Sequence, residues 1–109
     1  MKKSEIKFNV DLDENMLPKK ISWEAEGISE KKEAAAIMIS IWDKHENNTL
    51  RLDLWREDFS VDEMKKFFHQ SILTMTDTFE QSTGDTETAE GIRAFCEDLG
   101  ERLGVINSR

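Results

Sequence analysis

The sequence predicts an α+β fold: a four-stranded antiparallel sheet, made of two hairpins, followed by two helices packed on one of its faces. Two features carry that expectation. Up to about residue 56, apolar residues alternate with polar ones, which is the period of half-buried strands; beyond Ser60 they recur every three or four residues, which is the period of amphipathic helices. At 109 residues the chain has the size of one domain, and residues 1–109 are read as a single α+β domain.

The first strand covers about 4–13, with Ile6, Phe8, Val10 and Leu12 on one side and Lys7, Asn9, Asp11 and Asp13 on the other. Asp13 to Pro18 supplies turn residues. A second strand at about 19–26 sets Ile21, Trp23 and Ala25 against Lys20, Ser22, Glu24 and Glu26, closing a hairpin. After a charged connector, Glu33-Ala34-Ala35-Ala36 has the propensity to open a helix. The Ile- and Trp-rich continuation instead favours a strand at about 34–43, paired with another at about 49–56. Any register whose paired numbers sum to an odd value places Ile37, Ile39 and Ile41 on one face with Leu50, Leu52 and Leu54. A two-residue turn at Asn47-Asn48 is one such register, and asparagine tolerates the positive φ that it needs. The expected interior is the row Ile6, Phe8, Val10, Leu12, Ile21, Trp23 together with these six aliphatic residues, set against the apolar stripes of the two helices.

Ser60-Val61-Asp62-Glu63 reads as a capping box opening a helix over about 61–83, whose apolar stripe is Val61, Met64, Phe68, Ile72, Met75 and Phe79. Gly84 offers a left-handed stop. A second helix over about 86–103 gathers Ala89, Ile92, Phe95, Cys96, Leu99 and Leu103 within roughly a 120° arc. On its wet side Arg93 and Glu97, and Asp98 and Arg102, are opposite charges four residues apart. An antiparallel sheet with one face in water and one under helices accounts for the order of elements.

The formal charge of −8 is uneven: residues 1–56 hold 11 acids against 10 Lys/Arg, and residues 57–109 hold 12 against 5. Such a field disfavours nucleic acid and anionic lipid, both of which are held by Lys and Arg. The N-terminus alternates instead of forming a continuous apolar run, and no 18-residue apolar segment is present, so no membrane insertion is expected. With a lone Cys96, this points to a cytoplasmic protein.

No grouping of residues carries catalysis, a cofactor or a metal. His69 lies about 100° from the centre of its stripe with Lys65 and Lys66 one turn back, and reads as a solvated surface histidine. Asp43-x-His45-x-Asn47 has calcium-loop spacing but lacks the sharp-turn glycine, and Leu54 stands where a bidentate acid belongs. The carboxylate pairs Asp11/Asp13 and Glu24/Glu26 simply occupy alternate positions of wet strands. Cys96 sits in an apolar stripe, as a buried structural thiol does. With no phosphate loop, nucleophile elbow or paired CxxC, the expectation is a protein that is not an enzyme.

Met38, Trp42 and Trp55 fall on the opposite face from the isoleucines, where water should be. Either curling strand ends and loops cover them, or they form a local apolar patch, and the sequence favours the patch as an interaction surface for a protein partner or a second copy.

The segments SEIKFNVDLDENMLPKKISWEA, AIMISIWD, TLRLDLW, VDEMKKFFHQ and DTFEQ together resemble the gliding motility-associated GldC family of Bacteroidetes, from about Ser4 to Leu103. TLRLDLW followed shortly by VDEMKKFFHQ is the most specific part. The resemblance implies a small soluble accessory of the gliding machinery or its associated secretion, with no established reaction and no catalytic residues to carry over. The order of four antiparallel strands then two helices is also similar to the secretion chaperone SecB, which supplies an alternative: a module that binds extended or unfolded client segments.

Overall fold

The computed structural model describes residues 2–106. It is an α+β protein, and the described residues form five strands and two helices: β1 (Ile6–Leu12), β2 (Pro18–Ala25), β3 (Lys32–Ala34), β4 (Ala36–Asp43), β5 (Asn48–Trp55), α1 (Val61–Thr83) and α2 (Thr86–Leu103). The chain divides into two compact units, residues 1–59 with all the strands and residues 60–109 with both helices.

In the first unit the strands form two antiparallel sheets, β1-β2-β3 and β4-β5. The first hairpin turns on Asp13, whose carboxylate accepts from the amides of Asn15 (2.8 Å) and Leu17 (3.0 Å). Met16 takes a left-handed φ of 64° there. The ladder runs from Ile6↔Ala25 to Asp11↔Lys20 and then shifts to Leu12↔Pro18, with Lys19 as the extra residue. Proline is tolerated because it starts the strand. Ile21 is fully buried because β2 is the central strand, with Val10 and Ala34 as its cross-strand partners.

The stretch expected as one strand over 34–43 is broken at Ala35. Before the break, Lys32–Ala34 pairs with β2; after it, Ala36–Asp43 pairs with β5. The Ala35 carbonyl, which neither ladder uses, accepts from the Arg56 amide at 2.9 Å. One bend thus moves the chain from one sheet to the other, and the strands assemble as three plus two.

The expected interior row is only partly enclosed. Ile21 is buried and Val10, Trp23, Ile37, Ile39 and Leu54 are half-buried, whereas Ile6, Phe8, Leu12, Ile41, Leu50 and Leu52 are exposed. Alternation assigns these residues to one face but does not supply the layer that covers it. β1 is an edge strand and β4-β5 is a two-stranded ribbon, so each is flanked by a neighbour on only one side.

The second unit is a helical hairpin. Ser60 caps α1 with the box the sequence predicts: its hydroxyl accepts from Glu63 N at 3.0 Å, and the Glu63 carboxylate accepts from Ser60 N at 3.2 Å. Gly84 ends α1 at φ 74°, and Asp85 caps α2 through the Thr88 amide at 3.0 Å. The seam between the helices is not the apolar stripe of α1. It is the adjacent side, about 90° around, on which His69, Leu73, Thr76 and Glu80 follow one another. Against them α2 sets Ala89, Cys96 and Gly100, small residues that let the backbones approach closely, with Arg93 between Ala89 and Cys96.

His69 is therefore not a surface histidine. It is 7% exposed, and its Nε2 lies 2.8 Å from the Cys96 carbonyl oxygen. The angular position read from the sequence holds; what lies at that angle is α2 instead of water. Cys96 is buried as expected, and burial pushes its thiol pKa up. Arg93 reaches across the seam to Asp77 and Glu80, each at 2.8 Å, and along its own helix to Glu90 at 3.0 Å, in place of the expected partner Glu97.

Candidate functional site

The β4-β5 ribbon carries the residues singled out as an interaction surface. Its register runs Ala36↔Trp55, Ile37↔Leu54, Met38↔Asp53, Ile39↔Leu52, Ser40↔Arg51, Ile41↔Leu50, Trp42↔Thr49 and Asp43↔Asn48. Directly opposed residues of an antiparallel pair share a face, so the isoleucines and leucines lie together, as the odd-sum argument requires. The connection is not a two-residue turn at Asn47-Asn48. It spans Lys44 to Asn47, held by Asp43 Oδ1, which accepts from the amides of His45 (2.8 Å) and Glu46 (2.9 Å); Asn47 supplies the positive φ, at 53°.

On the opposite face the order along the ribbon is Trp55, then Met38 beside Asp53, then Ser40 beside Arg51, then Trp42 beside Thr49. The register brings Met38 and Trp55 together as diagonal neighbours, within reach of long side chains. Trp42 stands six residues along the strand from Ala36, the residue opposite Trp55, roughly 20 Å away. Between them Arg51 spans the ribbon. Its guanidinium donates to Asp53 at 2.8 Å and 3.2 Å and to the Ser40 hydroxyl, and the Asp53 hydrogen bond raises its pKa.

The surface is thus a strip, with an indole at each end and an arginine in the middle. Arg51 was missed at the sequence level, although its position between Leu50 and Leu52 puts it on the tryptophan face by parity alone. Trp, Arg and Met are the residue types enriched where proteins meet.

Trp42 is 64% exposed and Trp55 52%, which leaves roughly 170 to 290 Å² of indole surface in water. Burying it is worth about 4 to 7 kcal/mol before association costs. Met38 is half-buried. On the reverse face Ile41, Leu50 and Leu52 are exposed, so the far end of the ribbon is apolar on both sides.

Elsewhere there is little from which to build small-molecule chemistry. The connector after β2 borders an open depression of about 260 Å³ lined mainly by charged side chains, among them Glu5, Lys7, Glu24, Glu26 and Lys31. Ligand sites are concave and mostly apolar. Among the described residues no three His, Cys, Asp or Glu side chains converge as metal ligands, and no helix is long and apolar enough to cross a membrane.

Comparison with known proteins gives one match. Residues 18–105 match the family described as gliding motility-associated protein GldC-like. The chain belongs to the GldC-like family. No curated protein and no solved structure matches it. The GldC-like region takes in the whole β4-β5 ribbon, with Met38, Trp42, Arg51 and Trp55, and the helical seam, and it begins after β1. Membership makes this a gliding motility-associated chain and assigns no residue a role.

Proposed function

We propose that this protein is a non-enzymatic accessory of the gliding machinery or its associated secretion. It works in the cytoplasm by binding a protein partner on the open face of the β4-β5 ribbon, through Met38, Trp42 and Trp55. The observation that carries the reading is the exposure of two tryptophans on one face of a short ribbon in a chain of 35% charged residues. Partner capture and colony spreading are the readouts. Trp42→Ser/Trp55→Ser is expected to fold normally, to lose the partner in a pull-down and to impair spreading; retention of both activities would refute the surface.

A second reading is favoured by the other side of the ribbon. Ile41, Leu50 and Leu52 are exposed beside unpaired strand edges, the setting in which an extended client adds as a further strand. This SecB-like chaperone module would suppress aggregation of an unfolded client at near-stoichiometric ratios. No suppression at tenfold excess would eliminate it.

A further inference from the structure

We infer that the apolar side of the helical hairpin is a two-fold interface with a second copy of this chain, in which α1 lies antiparallel on α1 of the partner subunit about Phe68. Within the hairpin, α1 gives α2 its His69-Leu73-Thr76-Glu80 side. The stripe one quarter-turn away is left without α2. On it Val61 is 72% exposed, Phe68 48% and Met75 55%; on α2, Phe95 is 58% exposed and projects, by helical phase, from the same side of the hairpin. Single exposed apolar residues are ordinary. Three in line at seven-residue spacing, interleaved with Met64 and Ile72, make a packing ridge.

The stripe positions themselves carry no charge. Asp62, Glu63, Lys66, Asp77 and Glu80 project from the other half of α1 and Lys65 borders the stripe about 60° around from Phe68, while Ser71, Thr78 and Ser82 flank the stripe on its far edge. In a unit holding 10 acids against 5 Lys/Arg, a charge-free stripe along a whole helix, bordered by one lysine, has the composition of an interface core.

Symmetry selects a second copy as the occupant. Five of the six stripe positions, 61, 64, 68, 72 and 75, lie at −7, −4, 0, +4 and +7 about Phe68; the sixth, Phe79 at +11, extends past the end of this pairing. An antiparallel pair centred there puts Val61 on Met75 of the partner subunit, Met64 on Ile72 of the partner subunit and Phe68 on its own copy, the self-complementarity that a two-fold contact demands. Lys65, the charge nearest the stripe, then stands about 9 Å along the axis from the partner's Lys65, so like charges do not meet. The area also suffices. Two helices side by side, the longer about 34 Å in length, present a footprint on the order of 600 Å², close to the roughly 800 Å² per partner of a standard interface.

This inference stands on the helical hairpin and is independent of the ribbon surface proposed above. Light scattering tests it on the full chain. Wild type is expected at twice its 12.7 kDa, Phe68→Lys at half the wild-type mass, and Trp42→Ser/Trp55→Ser still at the wild-type mass. A monomeric wild type, or a dimer that Phe68→Lys leaves intact, overturns the proposal. A dimer dissociated by the tryptophan pair would also overturn it, by placing self-association on the ribbon. Should Phe68→Lys fail to fold, oxidative cross-linking decides. A Phe68→Cys variant, lying on the two-fold axis, gives a covalent dimer, and Gln70→Cys, on the opposite side of α1, does not; equal or reversed yields overturn the interface.

Discussion

Replacing Gly100 by alanine tests the helical seam because two effects of known sign oppose each other there. In an exposed helix interior, glycine to alanine stabilises by about 0.8 to 1.0 kcal/mol. At Gly100 an added Cβ would lie 2.7 Å from both Cγ1 and Cδ1 of Ile106 and 2.9 Å from His69 Nε2. Ile106 is folded back over this spot by the end of α2, where the amides of Val105 and Ile106 donate to the Gly100 carbonyl at 3.0 and 3.3 Å. His69 has less room to yield. A carbonyl only accepts, so Nε2 carries the proton in its 2.8 Å bond to Cys96, and turning the ring leaves a buried donor unmet. Crowding costs about 1 to 3 kcal/mol and the lost buried bond about 1 to 3 more. The helical preference offsets only about one of these, so Gly100→Ala is expected to destabilise by about 1 to 5 kcal/mol. Gly91 on the same helix has nothing within 4 Å of its would-be Cβ, and Gly91→Ala should stabilise by about 1 kcal/mol. Urea unfolding followed by far-ultraviolet circular dichroism, at one protein concentration, should move the two midpoints in opposite directions with m unchanged. If Gly100→Ala instead rises alongside Gly91→Ala, the close approach around His69 does not exist.

Three further outcomes follow from the same geometry. The Glu80 carboxyl is held below its usual pKa of 4.5, chiefly by the hydrogen bond from Arg93; its stabilising contribution is therefore present above about pH 4.5 and lost as pH falls through the lower folded value. Arg93→Met should lower stability at pH 7 and flatten the acid side of a urea-midpoint profile, and an unaltered acid slope would remove Arg93 as the cause. Met16 holds a left-handed φ that costs a β-carbon-bearing residue up to about 1 to 2 kcal/mol and that asparagine tolerates better, so Met16→Asn should raise the urea midpoint; a lower midpoint would show the turn to be unstrained. Cys96 is buried and its thiol pKa raised, so a thiol reagent should label it only on unfolding, and rapid labelling in native buffer would contradict the seam.

The elements themselves were legible because each has a local cause. The Ser60 box, the Gly84 stop and the positive φ at Asn47 depend on side chains within a few residues of where they act, and all three form. Parity fixed which residues of β4 and β5 share a face before the loop was known, since every odd-sum register gives the same answer. The break at Ala35 was not legible. Three alanines in a row carry no turn signal, and the bend exists only because β2 claims Ala34 while β5 claims Ala36. His69 failed for a related reason. A helical wheel gives angles but not the neighbour at each angle, and two adjacent sides of α1 each had grounds to be buried.

The same limit governs the surfaces that matter for function. An apolar stripe states that a face leaves water; it does not say against what. The sequence placed Val61, Phe68 and Met75 in a core, and the folded chain keeps them on one side of α1 yet exposed, so the pattern was read correctly and the covering layer was assumed. On the ribbon the reverse occurred. Met38, Trp42 and Trp55 drew attention because they broke the polar pattern, while Arg51, which fits that pattern, went unnoticed until the register set it between the indoles. A strip that alternates indole, arginine and indole over roughly 20 Å suits an elongated partner segment better than a single pocket. That expectation is specific: substituting Arg51 should weaken partner capture as strongly as substituting either tryptophan, whereas two independent indole sites would leave Arg51→Ala close to wild type.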